Sequence, residues 1–183
     1  MHVALHTVIV TPKGNEAVTL QIKLFLDSVD ATTALAQKLA SRLQNGDTIL
    51  LYGDVGAGKT HFARQIISTR LAVDGINEDI PSPTFTLVQT YETTQGEIWH
   101  ADLYRLTSID EIDELGLEDS IGDAICLIEW PEKIQENLAA HALQVHLETC
   151  DENTRNVVLE WQHQKWDDML HDVIKTLENP IDA

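Results

Sequence analysis

Residues 53–60 constrain this chain more than any other segment, because their sequence Gly-Asp-Val-Gly-Ala-Gly-Lys-Thr fits the phosphate-binding pattern G-x-x-x-x-G-K-[ST]. The apolar run Thr48–Tyr52 before the loop predicts a buried strand, and residues 61–71 after it predict an amphipathic helix. Such a loop points backbone N–H groups and a helix N-terminus at phosphate oxygens. The sequence therefore predicts a P-loop that binds a nucleotide.

The positions of this loop have different expected roles. Lys59 is expected to bridge the terminal phosphates, and the Thr60 hydroxyl is expected to ligate magnesium. The rest of the cradle is predicted to consist of Gly53, Asp54, Val55, Gly56, Ala57 and Gly58. The motif alone predicts nucleotide binding and does not specify a reaction.

The composition favours a single folded domain without a membrane segment. The 183 residues are 43% hydrophobic, and no apolar run approaches the roughly 20 residues of a membrane span. No basic stretch followed by a long apolar run opens the chain, which argues against a signal peptide. The two cysteines, Cys126 and Cys150, form no CxxC pair, so we expect a reducing, cytoplasmic location.

The charge narrows the range of partners. There are 30 acidic residues against 12 Lys and Arg residues, which gives a formal net charge of -18. This balance is unfavourable for binding a nucleic-acid backbone, so no strong autonomous nucleic-acid binding is expected. It favours docking on a basic partner, and a merely solvated acidic surface is the alternative.

Patterns along the chain predict an α/β fold. Strands are predicted at 19–26, 48–52, 124–129, 142–149 and 156–162, a hairpin at 86–103, and helices from residue 30 to residues 45–46 and at 61–71, 108–115 and 165–177. Asp30 or a neighbour is expected to cap the first helix, and Ser108 with Glu111 to form a capping box. We expect a P-loop NTPase three-layer domain with a mixed, mainly parallel sheet and an antiparallel closing hairpin.

The chain divides into three expected parts. Residues 1–16 are interpreted as an irregular N-terminal extension that ends in Pro-Lys-Gly-Asn. Residues 17–162 are interpreted as the P-loop domain, and residues 163–183 as a C-terminal helical extension.

Two carboxylates at strand ends are candidates for the chemistry. Glu129 ends the apolar run 125–128, and Asp102 closes the segment 97–101. A core strand is a poor place for charge unless the charge has a partner or a function, and the carboxyl ends of strands flank the P-loop crevice. Each is expected to hold magnesium or to organise an attacking water, and a capping or salt-bridged role is the alternative.

The segment Pro-Ser-Pro-Thr-Phe at 81–85 adds a hydroxyl to these candidates. Two prolines hold the segment extended, and its order in the chain matches a GTPase first switch, in which a hydroxyl such as that of Thr84 meets the γ-phosphate and metal. A rigid surface turn is the alternative. No NKxD motif for reading guanine occurs, which favours ATP over GTP.

Four motifs in order give the chain a specific resemblance. They are residues 53–60, Ser-Pro-Thr-Phe-Thr-Leu-Val at 82–88, His-Ala-Asp-Leu-Tyr-Arg-Leu at 100–106 and Leu-Ile-Glu-Trp-Pro at 127–131. Over roughly residues 28–160 the chain resembles the TsaE (YjeE) family, bacterial ATPases required for threonylcarbamoyladenosine (t6A) modification of tRNA. The segment before residue 20 and the helix after Gln162 exceed the usual family core.

The resemblance implies ATP and Mg²⁺ as cofactors and assigns positions to them. Residues 55–60 match the family's ATP loop, while Thr60 and Glu129 match its magnesium-linked positions. Thr32 and Arg155 fall near family nucleotide contacts.

The same resemblance implies a required acid and a partner. Asp102 matches a required acid of the family, and Trp130 matches a tryptophan beside the Walker B glutamate. The implied partner is the TsaB–TsaD heterodimer, whose TsaD subunit transfers threonylcarbamoyl to tRNA.

The expected function is that of a cytoplasmic ATPase that binds Mg-ATP, hydrolyses it slowly by itself and supports the t6A complex, with Lys59, Asp102 and Glu129 in the reaction. A P-loop small-molecule kinase is one alternative, although no Arg-rich lid occurs between Asp102 and Glu129. A nucleotide-gated binding module is the other alternative. It would differ from the ATPase in its rate of ATP turnover and not in its fold.

Overall fold

The computed structural model describes residues 3–11, 18–107, 110–133 and 141–178. Its strands are β1 (Val3–Thr11), β2 (Thr19–Leu26), β3 (Thr48–Tyr52), β4 (Val88–Thr93), β5 (Gly96–Asp102), β6 (Ile125–Glu129), β7 (Leu143–Thr149) and β8 (Arg155–Trp161). Its α-helices are α1 (Val29–Ala40), α2 (Lys59–Val73), α3 (Asp110–Asp113), α4 (Leu117–Ser120) and α5 (Lys165–Glu178), and Pro131–Lys133 forms a 3-10 turn. The predicted strands, hairpin and helices are found with shifted ends, except that the helix expected at 108–115 is described only as the four residues Asp110–Asp113, since 108–109 lie outside these ranges.

All eight described strands form one mixed sheet in the order β1-β2-β8-β7-β3-β6-β5-β4. The central pairings β7–β3, β3–β6 and β6–β5 are parallel. The pairings β1–β2, β2–β8, β7–β8 and β4–β5 are antiparallel, so the prediction of a mainly parallel sheet is wrong. Parallel neighbours need a crossover connection, whereas the antiparallel pairs β4–β5 and β7–β8 are each joined by a short turn.

The first strand corrects a second prediction. Residues 1–16 were expected to be irregular, but β1 pairs antiparallel with β2 from Val3 opposite Leu26 to Thr11 opposite Thr19. Its register shifts between Leu5 and Val8, which interrupts the alternation of the strand. Strand β1 therefore forms one edge of the sheet.

Two apolar clusters cover the two faces of the sheet and create three layers. Ile49 and Leu51 of β3 join a large cluster with α1, α2 and α5, whereas Leu50 faces a smaller cluster that includes Ile112 and Leu117 of the short helices. This alternation follows from the two-residue period of a strand. The predicted three-layer α/β arrangement agrees with this packing.

Helix α5 contributes to the larger cluster. Trp166 is completely buried, and its indole N–H donates to the carbonyl oxygen of His141 at 3.0 Å. Leu170, Val173 and Leu177 lie on the same apolar face.

Helix α1 is capped by Ser28, a neighbour of the expected Asp30, and the Ser28 hydroxyl accepts from the Ala31 N–H at 3.2 Å. The predicted capping box at Ser108 lies outside the described residues. Across the described ranges, every helix is too short or too polar to pass through a bilayer.

Candidate functional site

The site begins where three adjacent strands of the sheet end. The loop 53–58 follows β3, Asp102 ends β5 and Glu129 ends β6. In the parallel registers, Glu129 lies opposite Asp102 on one side and opposite Leu51 on the other. The carboxyl ends of these strands therefore bring both predicted acids to the loop.

Two glycines fix the shape of the loop. Gly53 has a φ of 136°, and a Cβ at this position would lie 2.3 Å from the carbonyl oxygen of Leu147. Gly58 precedes α2 with a φ of 108°, which places it in the left-handed region that favours glycine. The loop therefore passes close to β7 and then turns sharply, so that the first N–H groups of α2 lack intrahelical acceptors.

The Lys59 side chain lies inside the loop. Its ammonium donates to the carbonyl oxygens of Gly53 at 2.6 Å and Asp54 at 3.0 Å, and lies 3.7 Å from the ring centroid of Trp130. Burial lowers the pKa of Lys59, while the charges of Glu129 and other nearby acids oppose that shift. A desolvated ammonium of this kind interacts strongly with an anion.

A chain of hydrogen bonds connects α2 to β6 and β5. The Thr60 hydroxyl donates to Glu129 Oε2 at 2.7 Å, and His100 Nε2 lies 2.9 Å from Glu129 Oε1. Both oxygens of this buried carboxylate therefore have partners, as a buried charge requires.

Asp102 is held by a separate set of donors. Its Oδ2 accepts from the Thr84 hydroxyl at 2.6 Å, and its Oδ1 accepts from the Tyr104 N–H at 3.0 Å. The Ser82 and Thr84 hydroxyls lie 2.8 Å apart. The segment predicted as a switch is thus tied to the strand-end acid.

These groups surround one cavity of about 310 Å³. It is lined by Val55, Gly56, Gly58, Lys59, Thr60, His61, Thr84, Asp102, Tyr104, Glu129 and Trp130. The structure therefore brings Lys59, Thr60, Thr84 and both acids together, as their positions in the sequence led us to expect.

The structure does not bring Thr32 to this cavity. Thr32 is buried in the first turn of α1, where its hydroxyl donates to the Ser28 carbonyl oxygen at 3.3 Å. Arg155 does not line the cavity either, but it contacts the loop, because its Nε donates to the carbonyl oxygen of Ala57 at 2.8 Å.

Sequence reasoning did not single out His61, Tyr104 or His100. His61 lines the cavity, and its Nε2 lies 2.9 Å from the Thr33 hydroxyl. Burial lowers the pKa of His61, and the charges of Arg64 and Arg155 lower it further. His100 could have been found, because it precedes Asp102 by two residues and strand alternation puts both on one face.

The donors fit a magnesium ion that is coordinated mainly by phosphate and water. Mg²⁺ prefers oxygen ligands and commonly takes one or two carboxylates beside substrate phosphates. The Thr60 hydroxyl and the Glu129 carboxylate are such oxygens, 2.7 Å apart. Among the described residues, no three His, Cys, Asp or Glu side chains cluster as a self-sufficient metal site.

Fold and site together define an α/β protein in which a glycine loop, a lysine and two strand-end carboxylates surround one cavity. The model of the family described as "Threonylcarbamoyl adenosine biosynthesis protein TsaE" matches residues 26–157. The chain belongs to this family, and the resemblance seen in its motifs is confirmed.

Individual relatives agree with this assignment. The tRNA threonylcarbamoyladenosine biosynthesis protein TsaE of Rickettsia felis is 47% identical over 132 residues, 72% of this chain and 75% of that protein. The protein of the same name from Bacillus subtilis is 33% identical over 138 residues, 75% of this chain and 84% of that protein. The crystal structure of Bacillus subtilis YdiB has a TM-score of 0.67 at 24% identity, covers 93% of this chain and 97% of that chain, and supports the fold.

Proposed function

We propose that this protein is a magnesium-dependent P-loop ATPase that binds ATP, hydrolyses it slowly by itself and supports t6A biosynthesis on tRNA. The observation that supports this most is the convergence of Lys59, Thr60, Asp102 and Glu129 on one cavity of about 310 Å³. Pockets for small molecules typically have volumes of about 300–1,000 Å³. Family membership supports the pathway.

In this proposal the loop binds the phosphates. The Lys59 ammonium and the open N–H groups at the start of α2 are donors that suit the charge of a polyphosphate. Thr60 and Glu129 would hold magnesium, which when bound neutralises charge on the terminal phosphates. The nucleotide is thereby oriented with its terminal phosphate toward the two acids.

Asp102 is the residue proposed to direct the attacking water. Thr84 and the Tyr104 N–H each bond one oxygen of its carboxylate, so the side chain has a fixed direction toward the cavity. A carboxylate fixed in this way can accept a hydrogen bond from a water and hold it for attack on phosphorus.

The cavity lacks a positive group beyond Lys59 in the described part of the chain, since no arginine lines it. Arg105 lies over the ring of Phe85, with its guanidinium carbon 5.4 Å from the centroid, and Arg155 donates to the Ala57 carbonyl oxygen of the loop. An absent arginine finger can cost on the order of 10³–10⁵ in rate. We therefore propose that the TsaB–TsaD heterodimer completes the site.

The proposed setting is the cytoplasm. Both cysteines are free thiols, which suits a reducing compartment. The net charge of -18 suits docking on a basic surface of the protein partner and disfavours autonomous tRNA binding.

Phosphate release tests the proposal directly. The chain is assayed with Mg-ATP alone and with TsaB–TsaD, at low and high salt. We expect slow release alone, clear stimulation by the partner and weaker stimulation at high salt, because salt screens charge complementarity. Fast, partner-independent and salt-insensitive release would contradict the proposal. Phosphate transfer to a small metabolite would indicate a kinase, and binding without any turnover would indicate a nucleotide-gated module.

A further inference from the structure

His100 is a buried histidine behind the cavity. Its side chain is 0% exposed, and it is not among the residues that line the cavity. Its Nε2 lies 2.9 Å from Glu129 Oε1, while its Nδ1 has no hydrogen-bond partner among the described residues. A buried imidazole with one unpartnered nitrogen is costly, so its single bond to Glu129 calls for an explanation.

The bond to Glu129 sets the tautomer of His100 in the state that binds magnesium. A carboxylate that ligates magnesium is ionised and only accepts hydrogen bonds, so His100 Nε2 is the donor in that state. Glu129 Oε2 already accepts from the Thr60 hydroxyl at 2.7 Å. The carboxylate therefore has one hydrogen bond to α2 and one to β5, one on each oxygen, and these two bonds fix the orientation of its plane.

We propose that His100 is a positioning residue that holds the Glu129 carboxylate toward Thr60 and the phosphate cavity. This inference rests on the proposed function, because the oriented carboxylate matters for Mg-ATP. Without the donor, Glu129 Oε1 is left buried and unpartnered. The ammonium of Lys59, whose pKa burial lowers and the Glu129 charge partly raises again, then attracts this carboxylate. A carboxylate that turns toward Lys59 loses its orientation toward Thr60.

His100→Gln and His100→Leu form a matched pair for the test. A glutamine amide reaches about as far as an imidazole Nε2 and can donate to Glu129, whereas leucine fills the space without a donor. Loss of a partner that orients a metal ligand typically costs 10–100-fold. We expect His100→Leu to lose roughly 10–100-fold in partner-stimulated turnover, and His100→Gln to recover most of it.

Nucleotide binding provides a readout that a purely structural role would not move. ATP affinity is measured by calorimetry with Mg²⁺ and with EDTA. We expect His100→Leu to weaken Mg-ATP binding while Mg-free ATP binds within roughly threefold of wild type. Equal losses in both conditions, or a wild-type Mg²⁺ dependence, would overturn the assignment.

Folding is monitored for every variant by thermal melting. If His100→Leu does not fold, His100→Gln and His100→Asn replace the pair, because the shorter asparagine amide does not reach the Nε2 position. Gln performing better than Asn supports the inference, and equal performance overturns it. If wild type neither binds nor hydrolyses Mg-ATP, the proposed function and the inference fall together. If wild type is active and His100→Leu matches it, the inference alone falls.

Discussion

Both ends of the parallel strands β3, β5 and β6 carry buried carboxylates, but the carboxylates have different hydrogen-bond partners at the two ends. At the amino end, Asp47 is 6% exposed, and it accepts from the Gln44 N–H at 2.8 Å and from the Lys165 ammonium at 3.0 Å. At the carboxyl end, Asp102 and Glu129 are 4% and 2% exposed, and hydroxyl, imidazole and backbone groups are their donors.

The lysines at the two ends also differ in their bonding partners. Lys165 forms an ion pair with the Asp47 carboxylate, and Lys59 donates to two backbone carbonyls inside its loop. An ion pair neutralises both of its members, whereas a carbonyl leaves the positive charge available to an anion. Burial of a carboxylate is thus weak evidence for a functional site, and the identity of its partners is stronger evidence.

The largest expected effect comes from removing a charge at the carboxyl end. Glu129→Gln and Asp102→Asn keep the shape of the side chains but lose their charge, and a positioned acid or base typically contributes 10²–10⁴-fold in rate. We expect turnover with TsaB–TsaD to fall on the order of 10²-fold or more, while ATP binding changes less. Asp47→Asn is the matched control at the amino end. Wild-type hydrolysis in either carboxyl-end variant would reduce that residue to a structural role.

The two lysines give the next largest contrast. Lys59→Ala is expected to weaken ATP binding on the order of 10²-fold, since each charge-assisted hydrogen bond contributes about 1.5–3 kcal/mol. Its melting temperature should change little, because a desolvated ammonium is a poor contributor to folding. Lys165→Ala should retain its ATP affinity but should melt at a lower temperature than wild type. Calorimetry and thermal melting on both variants decide the matter, and equal ATP affinity in Lys59→Ala would contradict the P-loop assignment.

A third prediction concerns Cys126, in the amino-terminal half of β6. Burial raises the pKa of this thiol from 9.0 to about 11. The unfolded chain therefore loses the proton first, so the free energy of unfolding should fall between about pH 9 and pH 11. One pKa unit corresponds to about 1.4 kcal/mol, and the loss approaches about 2–3 kcal/mol. Urea unfolding of wild type and Cys126→Ala across this range measures the difference, and parallel pH profiles would refute it.

The smallest expected effect follows from removing the charge of the amino-end carboxylate, Asp47. Asp47→Asn should lower the free energy of unfolding by about 1 kcal/mol, because its partner Lys165 is 31% exposed and solvent weakens the pair. A domain of this size should then melt about 2–4 °C lower. Turnover per folded molecule should equal that of wild type. A clear loss of turnover without a loss of stability would erase the distinction between the two ends.

The parts of the structure that depend on local order could be predicted from the sequence. The loop, its flanking strand and helix, and the strand-end positions of Asp102 and Glu129 follow from periodicity and from the ends of apolar runs. Their placement around one cavity then follows, because neighbouring parallel strands end at one edge of the sheet.

Features that depend on distant pairing could not be predicted. Strand β1 is rich in Val, Ile and Thr, but its register shift between Leu5 and Val8 breaks the continuous alternation by which the other strands were assigned. The bond of Arg155 to Ala57 joins residues 98 positions apart. Thr32 was expected near the nucleotide, but in the structure its neighbour Thr33 is the residue that contacts a cavity side chain, His61.

Helix α5 also determines when this chain can finish folding during its synthesis. The family match ends at residue 157, yet Trp166, Leu170 and Val173 complete the main apolar cluster. Until these residues leave the ribosome, the faces of α1 and the sheet that they cover are exposed to water and to chaperones. A nascent chain that stops after β8 would thus present the site-bearing strands on an unfinished core, open to chaperones.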